Sequence, residues 1–163
     1  GVVFVLLTGV RVNSAPDMLV KDEKTSGTDG GTFASGAWRT RTLNTVERNE
    51  LTGASLASNQ ITLPAGTYYV EAIAEAVRVS VHKIKLRDVT NSADLIIGSS
   101  SYAVASDFAA NASTAFGIAT LSAETDIELQ HRCYATYASQ GLGLSSGFGV
   151  SEVYAMVSIW RVA

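Results

Sequence analysis

The chain has 163 residues but only one cysteine, two prolines and two histidines. With Cys133 alone no intrachain disulfide can form, so the fold is expected to stand without a covalent staple. Charged residues make up 17% of the chain, below the roughly 25% of an ordinary domain. A surface so poor in charge and rich in Gly, Ser, Thr and Ala suits packed subunits better than a free monomer. Net charge is −3 with 12 Lys+Arg, which leaves no broad basic face for a phosphate backbone and argues against nucleic acid. No run approaches the ~18 apolar residues of a membrane helix, so no membrane insertion is expected. The opening Gly1-Val-Val-Phe-Val-Leu-Leu7 lacks a basic n-region and reads as a strand rather than a signal segment. The missing initial Met points to a processed or excised fragment. No long segment keeps an apolar 3.6 period, and neither repeats of about 20–50 residues nor heptads occur, which excludes solenoids, propellers and a coiled coil here.

What is present is alternation. Apolar runs of period two, separated by Gly/Ser/Asn/Asp clusters, predict strands near 2–7, 17–23, 31–34, 37–44, 59–63, 67–76, 78–88, 94–98, 114–122, 125–135 and 152–162. Leu63-Pro-Ala-Gly-Thr67 reads as a turn, Ser26–Thr32 and Ser139–Gly147 as flexible loops, and the alanine-rich Ala103–Ser113 as a short helical turn. This predicts a single all-β domain over residues 1–163, with 1–16 as a leading strand and linker. The expected architecture is an antiparallel two-sheet β-sandwich of jelly-roll type.

The last strand has a feature of its own. One face carries Val153, Ala155, Val157 and Ile159, and the other Tyr154, Met156, Trp160 and Val162. A strand on the outside of a lone sandwich normally turns a polar face to water. A second apolar face needs a cover, and a second copy of the chain is the simplest one. Tyr154, Met156, Val157, Ile159 and Trp160 are therefore the candidate subunit interface.

Gly36-Ala-Trp-Arg-Thr-Arg-Thr-Leu-Asn-Thr-Val46, Asn59-Gln-Ile-Thr-Leu-Pro-Ala-Gly-Thr-Tyr-Tyr69, His82-Lys-Ile-Lys-Leu86, Glu128-Leu-Gln-His-Arg-Cys133 and Gly147-Phe-Gly-Val-Ser-Glu-Val-Tyr154 form an ordered set. Together they resemble the C-terminal domains of tail-fibre and spike proteins of tailed bacteriophages and prophages. The order of these segments before a hydrophobic last strand is also similar to C1q/TNF-like trimeric jelly rolls. That resemblance implies a homotrimeric knob with each protomer's last strand near the threefold axis.

Several residue patterns invite chemistry. Gly143-Leu-Ser-Ser-Gly147 matches the G-x-S-x-G elbow, but a Gly-rich loop precedes Ser145 and no histidine follows it. His131 and Cys133 share a strand face with Ile127 and Leu129, and His82 shares one with Ile84 and Leu86; such a trio suits zinc only if the strands are neighbours, and core or interface histidines are the default. Lys83, Lys85 and Arg87 alternate outward, as do Asp126, Glu128 and Arg132, which reads first as a solvated face and second as an anionic-glycan contact. Trp38 reads as a core anchor, with Arg39 and Arg41 on the opposite face at a subunit boundary. Asp22 and Glu23 point to opposite faces, and neither they nor Asp126 with Glu128 make a glycosidase pair. Asp88, Asp94 and Asp107 are too scattered for calcium. Asn111-Ala-Ser113 is a sequon read as coincidence. No catalytic residue, metal or cofactor is expected.

The resulting expectation is a viral structural protein, the trimeric knob of a tail fibre or spike that contacts a host surface glycan or protein. Its partners would be its own copies, other virion proteins and the host surface, and its place the virion after assembly in the bacterial cytoplasm. Recognition is expected in the loops Ser26–Gly36, Ser99–Ser113 and Tyr134–Phe148, with Tyr102, Tyr134, Tyr137 and Asp107 as candidate contacts. A purely architectural capsid-decoration or tail subunit is the alternative, and a polysaccharide depolymerase or esterase comes third.

Overall fold

Residues 66–77 carry a long alternation that buries Tyr68, Val70, Ala72, Ala74 and Ala76 and leaves Glu71 and Ile73 outside. Every regular element among the described residues is a strand. The computed structural model describes residues 15–162. In chain order the strands are β1 (Met18–Lys24), β2 (Arg39–Thr40), β3 (Thr45–Asn49), β4 (Ser55–Ala57), β5 (Gln60–Leu63), β6 (Gly66–Val77), β7 (Ser80–Asp88), β8 (Ala93–Ala103), β9 (Ala110–Leu121), β10 (Thr125–Cys133) and β11 (Glu152–Arg161). The segment 2–7, expected as a strand, lies outside the described residues.

All pairings are antiparallel. One sheet runs β3-β1-β11-β6-β9; the other runs β4-β5-β10-β7-β8, with the short β2 on β10. From β5 onward the chain crosses repeatedly between the sheets, which is the jelly-roll path. Met18, Val20, Ile61, Leu63, Tyr68, Ile84, Leu129, Val157 and Ile159 fill the space between the layers. A smaller cluster of Phe33, Ala76, Val79, Ala103 and Cys133 seals one end.

The expected helical turn at 103–113 is not there. β8 continues through Tyr102, the chain turns at 104–109, and β9 begins at Ala110. The reason is a seam between the sheets. Ser113 is fully buried; its hydroxyl donates to the Ser99 carbonyl (2.6 Å) and accepts from the Ile84 amide (3.0 Å), which ties β7, β8 and β9 together. Gly98 permits the approach, since a Cβ there would stand 2.7 Å from the Ile84 carbonyl oxygen. Two short strands, β3 and β4, were not expected from the sequence. Ser58 and Asn59, at φ of 50° and 65°, make the two-residue turn from β4 to β5, and a type I′ turn requires both to be positive.

The last strand also differs from its expected pattern. Asp22 pairs with Ala155 but Glu23 pairs with Val153, so Tyr154 is the extra residue of a β-bulge. The bulge puts Tyr154 and Ala155 both inward and reverses the alternation beyond them. Val157 and Ile159 lie wholly in the protomer's own core, and Tyr154 is buried as well. These three are corrected from subunit interface to intraprotomer packing. Met156 and Trp160, both half-buried, remain on the outer face.

Candidate functional site

The long loops gather at one end of the sandwich, and buried polar groups join them. Arg41 was expected at a subunit boundary but is 1% exposed. Its guanidinium donates to the carbonyls of Glu75 (3.3 Å), Leu142 (3.0 Å) and Tyr154 (3.1 Å), so one side chain ties β6, the 139–147 loop and β11. Asp22 lies 3.7 Å away as its counter-charge and also binds Lys24. Burial lowers the Arg41 pKa to about 10, which still leaves it charged at neutral pH.

Two carboxylates do the same work nearer the surface. Glu152 accepts the amides of Gly27, Ser146 and Gly147, which hold its pKa down to about 2. Asp29 accepts both the amide and the hydroxyl of Ser145 and the amide nitrogen of Gln140; the Ser145 amide does most to keep its carboxyl low. The loops at 26–32 and 139–147, expected to be flexible, are therefore cross-linked to each other. Ser145 donates to a carboxylate instead of to a histidine, and both histidines lie buried elsewhere. A G-x-S-x-G nucleophile has no histidine base here.

The candidate contact residues take different places around this end. Tyr137 pairs with Phe33 through backbone bonds in both directions, and its ring packs with that of Phe108 on the Arg78 guanidinium, at 4.8 and 4.9 Å. Asp107 accepts the amide of Phe108 and shapes its own turn. Tyr102 lies on β8, not in a loop, and is half exposed. Tyr134 stands 77% exposed where β10 ends. Arg78, Asp29 and Glu152, which organise the end together with Arg41, carried no signal in the sequence beyond their residue type.

Beside the loop end, a groove of about 560 Å³ opens on the outer face of the second sheet, lined by Ser35, Trp38, Lys83, Ser100, Arg132 and Tyr134 among others. Trp38 was expected in the core. It instead lies across this outer face, with the Lys85 ammonium 4.4 Å from its ring centroid. Lys85, expected in solvent, is thereby buried under Trp38 and donates to Asp94 at 2.7 Å.

The three sulfur and imidazole groups do come together. Cys133 pairs with His82 across β10 and β7, and His82 Nδ1 meets His131 Nε2 at 2.9 Å. Desolvation first, then the nearby Arg41 charge, lowers the His82 pKa to about 4 and that of His131 to about 2, so both rings are neutral. Burial raises the Cys133 thiol to about 11. Among the described residues no group of three His, Cys, Asp or Glu side chains is placed to hold a metal ion.

The outer face of the first sheet carries an apolar patch, interrupted by Glu71 opposite Phe116 and by Thr114 and Ser158. Phe116 is 70% and Ile118 56% exposed on β9, flanked by Ile73 on β6 and by Val153, Met156 and Trp160 on β11. Trp160 packs on Tyr69 at 5.6 Å between centroids. A shallow hollow of about 410 Å³ sits among Ile73, Phe116 and Met156.

No family model matches the chain. No curated protein matches it. Among solved structures it is similar to the globular domain of zebrafish complement 1qA protein, at 12% identity over 91% of this chain and 98% of that one, with a TM-score of 0.55. It is also similar to murine APRIL crystallised at pH 5.0, at 10% identity over 86% of this chain and 98% of that one, with a TM-score of 0.46. The two-sheet sandwich has the jelly-roll fold of that C1q globular domain.

Proposed function

We propose that this chain is a homotrimeric recognition knob, of the kind that ends a bacteriophage tail fibre or spike and touches the host cell surface. The observation that carries the reading is the apolar patch on the outer face of the β3-β1-β11-β6-β9 sheet, where Phe116, Ile118, Ile73 and Val153 stand exposed in one protomer around Glu71. A cluster of large exposed apolar side chains on one sheet face points to a contact between proteins. Sister protomers packed on that face cover it and leave the loop end and the second sheet free. The number three comes from the resemblance to trimeric jelly rolls; the apolar face supports the need for a partner. Three copies multiply a weak site by avidity, which suits attachment to a repetitive surface. An enzymatic reading finds no support in the site, since Ser145 is bound to Asp29 and the histidines are enclosed.

Sedimentation equilibrium and cell binding test the proposal together. The expected mass is three times 17.1 kDa, with binding to host cells that purified host surface polysaccharide competes away. A monomer at high concentration overturns the assembly. A trimer that binds no cell but binds virion proteins favours the architectural alternative.

A further inference from the structure

Arg132 on β10 and Lys83 on β7 are direct cross-strand partners, and Ser100 on β8 is the next residue in that row. Directly opposed side chains have Cβ atoms only about 5 Å apart, and like charges so placed repel. Sheets normally alternate sign across such a pair, and the other end of this same face does so. Lys85 and Arg87 both donate to Asp94. Glu128 accepts from Thr40, Gln60 and Gln130, and Asp126 from Thr62. The acids of the face are thus engaged away from Lys83 and Arg132, which make no ion pair among the described residues. The repulsion stands uncompensated at the wall of the open groove, between Trp38 on one side and the exposed Tyr134 on the other.

We infer that this groove binds an acidic saccharide, with its anionic group between Lys83 and Arg132 and its ring against Trp38 or Tyr134. The inference rests on the recognition reading above and names the class of ligand and its place. An anion relieves the repulsion between the two cations, and two donors of different shape hold an oxygen pair better than one. Aromatic side chains with an apolar body and a polar tip suit the half-wet face of a sugar. Ser35 and Ser100 add hydroxyls on the same wall. The site lies on the second sheet, away from the apolar face assigned to assembly, so it stays open in the trimer.

The test is titration of the purified chain with tetragalacturonate at low salt, followed by calorimetry and tryptophan fluorescence. Maltotetraose serves as the neutral control and inorganic phosphate as the charge control. The expected result is saturable binding of the acidic oligosaccharide, at least tenfold weaker binding in the double variant K83Q/R132Q, and no binding of maltotetraose. Unliganded K83Q should melt higher than the parent, because the repulsion is gone. No binding of tetragalacturonate, or equal binding by K83Q/R132Q, overturns the site. Phosphate that binds as tightly as tetragalacturonate overturns the saccharide assignment. If host-cell binding persists in K83Q/R132Q while oligosaccharide binding was never seen, this groove fails and the recognition reading stands; loss of all cell binding by the parent chain fails the recognition reading instead.

Discussion

His82 and His131 meet ring to ring inside the sandwich, nitrogen to nitrogen at 2.9 Å, with Nε2 of the first and Nδ1 of the second unpartnered. One ring must donate and the other accept, so the contact exists only while at least one imidazole is neutral. The Phe33 ring packs on His131 at 4.6 Å between centroids and helps close the site to water. Two buried neutral imidazoles make the fold sensitive to acid.

The unfolded chain protonates both histidines near their ordinary value of 6.5, whereas the folded chain resists down to about 4 at His82 and about 2 at His131. Stability from this pair is complete above pH ~6.5 and drains as pH falls towards 4, at on the order of 1 kcal/mol per pH unit for each histidine. Glu152, lowered to about 2 from 4.5, adds its own loss only below that higher value. Melting temperature should therefore fall between pH 6.5 and 5, and the double replacement His82→Leu with His131→Leu should flatten that limb. An unchanged slope in the double variant would contradict the assignment.

Arg41→Met leaves three backbone carbonyls and Asp22 without the charge they face. Breaking a buried pair in this way costs about 3–5 kcal/mol. Arg39→Met, two residues away and exposed, should change stability by less than about 0.5 kcal/mol. Urea unfolding of both variants reads the contrast, and equal losses would sink the role given to Arg41.

Gly141 has no room for a side chain: a Cβ would lie 2.5 Å from the Tyr137 carbonyl oxygen and 2.9 Å from the Phe33 amide nitrogen. Both neighbours are backbone and cannot swing aside. Gly141→Ala should destabilise by about 1–3 kcal/mol, while Gly147→Ser, in open space, is limited to the strain of its φ of 67°. Thermal melts of the two variants decide whether the loop packs this closely.

Phe116→Asp and Val157→Asp separate assembly from folding. Phe116 is on the apolar outer face, so its change should yield a folded monomer by light scattering and circular dichroism. Val157 is enclosed between the sheets, and a carboxylate there costs at least about 4 kcal/mol, enough to unfold the protomer. An intact oligomer after Phe116→Asp would remove that face from the interface.

Strand alternation made the two-sheet fold legible, because period two over 66–77, 80–88 and 125–133 has no competing reading. The inward and outward sides of the last strand were legible only in part. A uniformly apolar strand gives no mark of which side faces its own core, and the bulge at Tyr154 depends on pairing with β1, a distant segment. Trp38 and Arg41 exchanged their expected places for a related reason. Trp38 finds a cation to cover, and Arg41 finds carbonyls from three separated segments, neither of which local sequence displays. His82, His131 and Cys133 shared faces correctly, while their meeting required β7 and β10 to be neighbours.

Glu152 grips peptide N–H groups of Gly27, Ser146 and Gly147, and Asp29 takes that of Ser145. Amide hydrogens are the same whatever letter the codon spells, so the brace under the rim asks little of the residues that point outward. Leu144, Phe148 and Val150, all turned to solvent, are then free to drift. Substitutions there leave the brace beneath them in place.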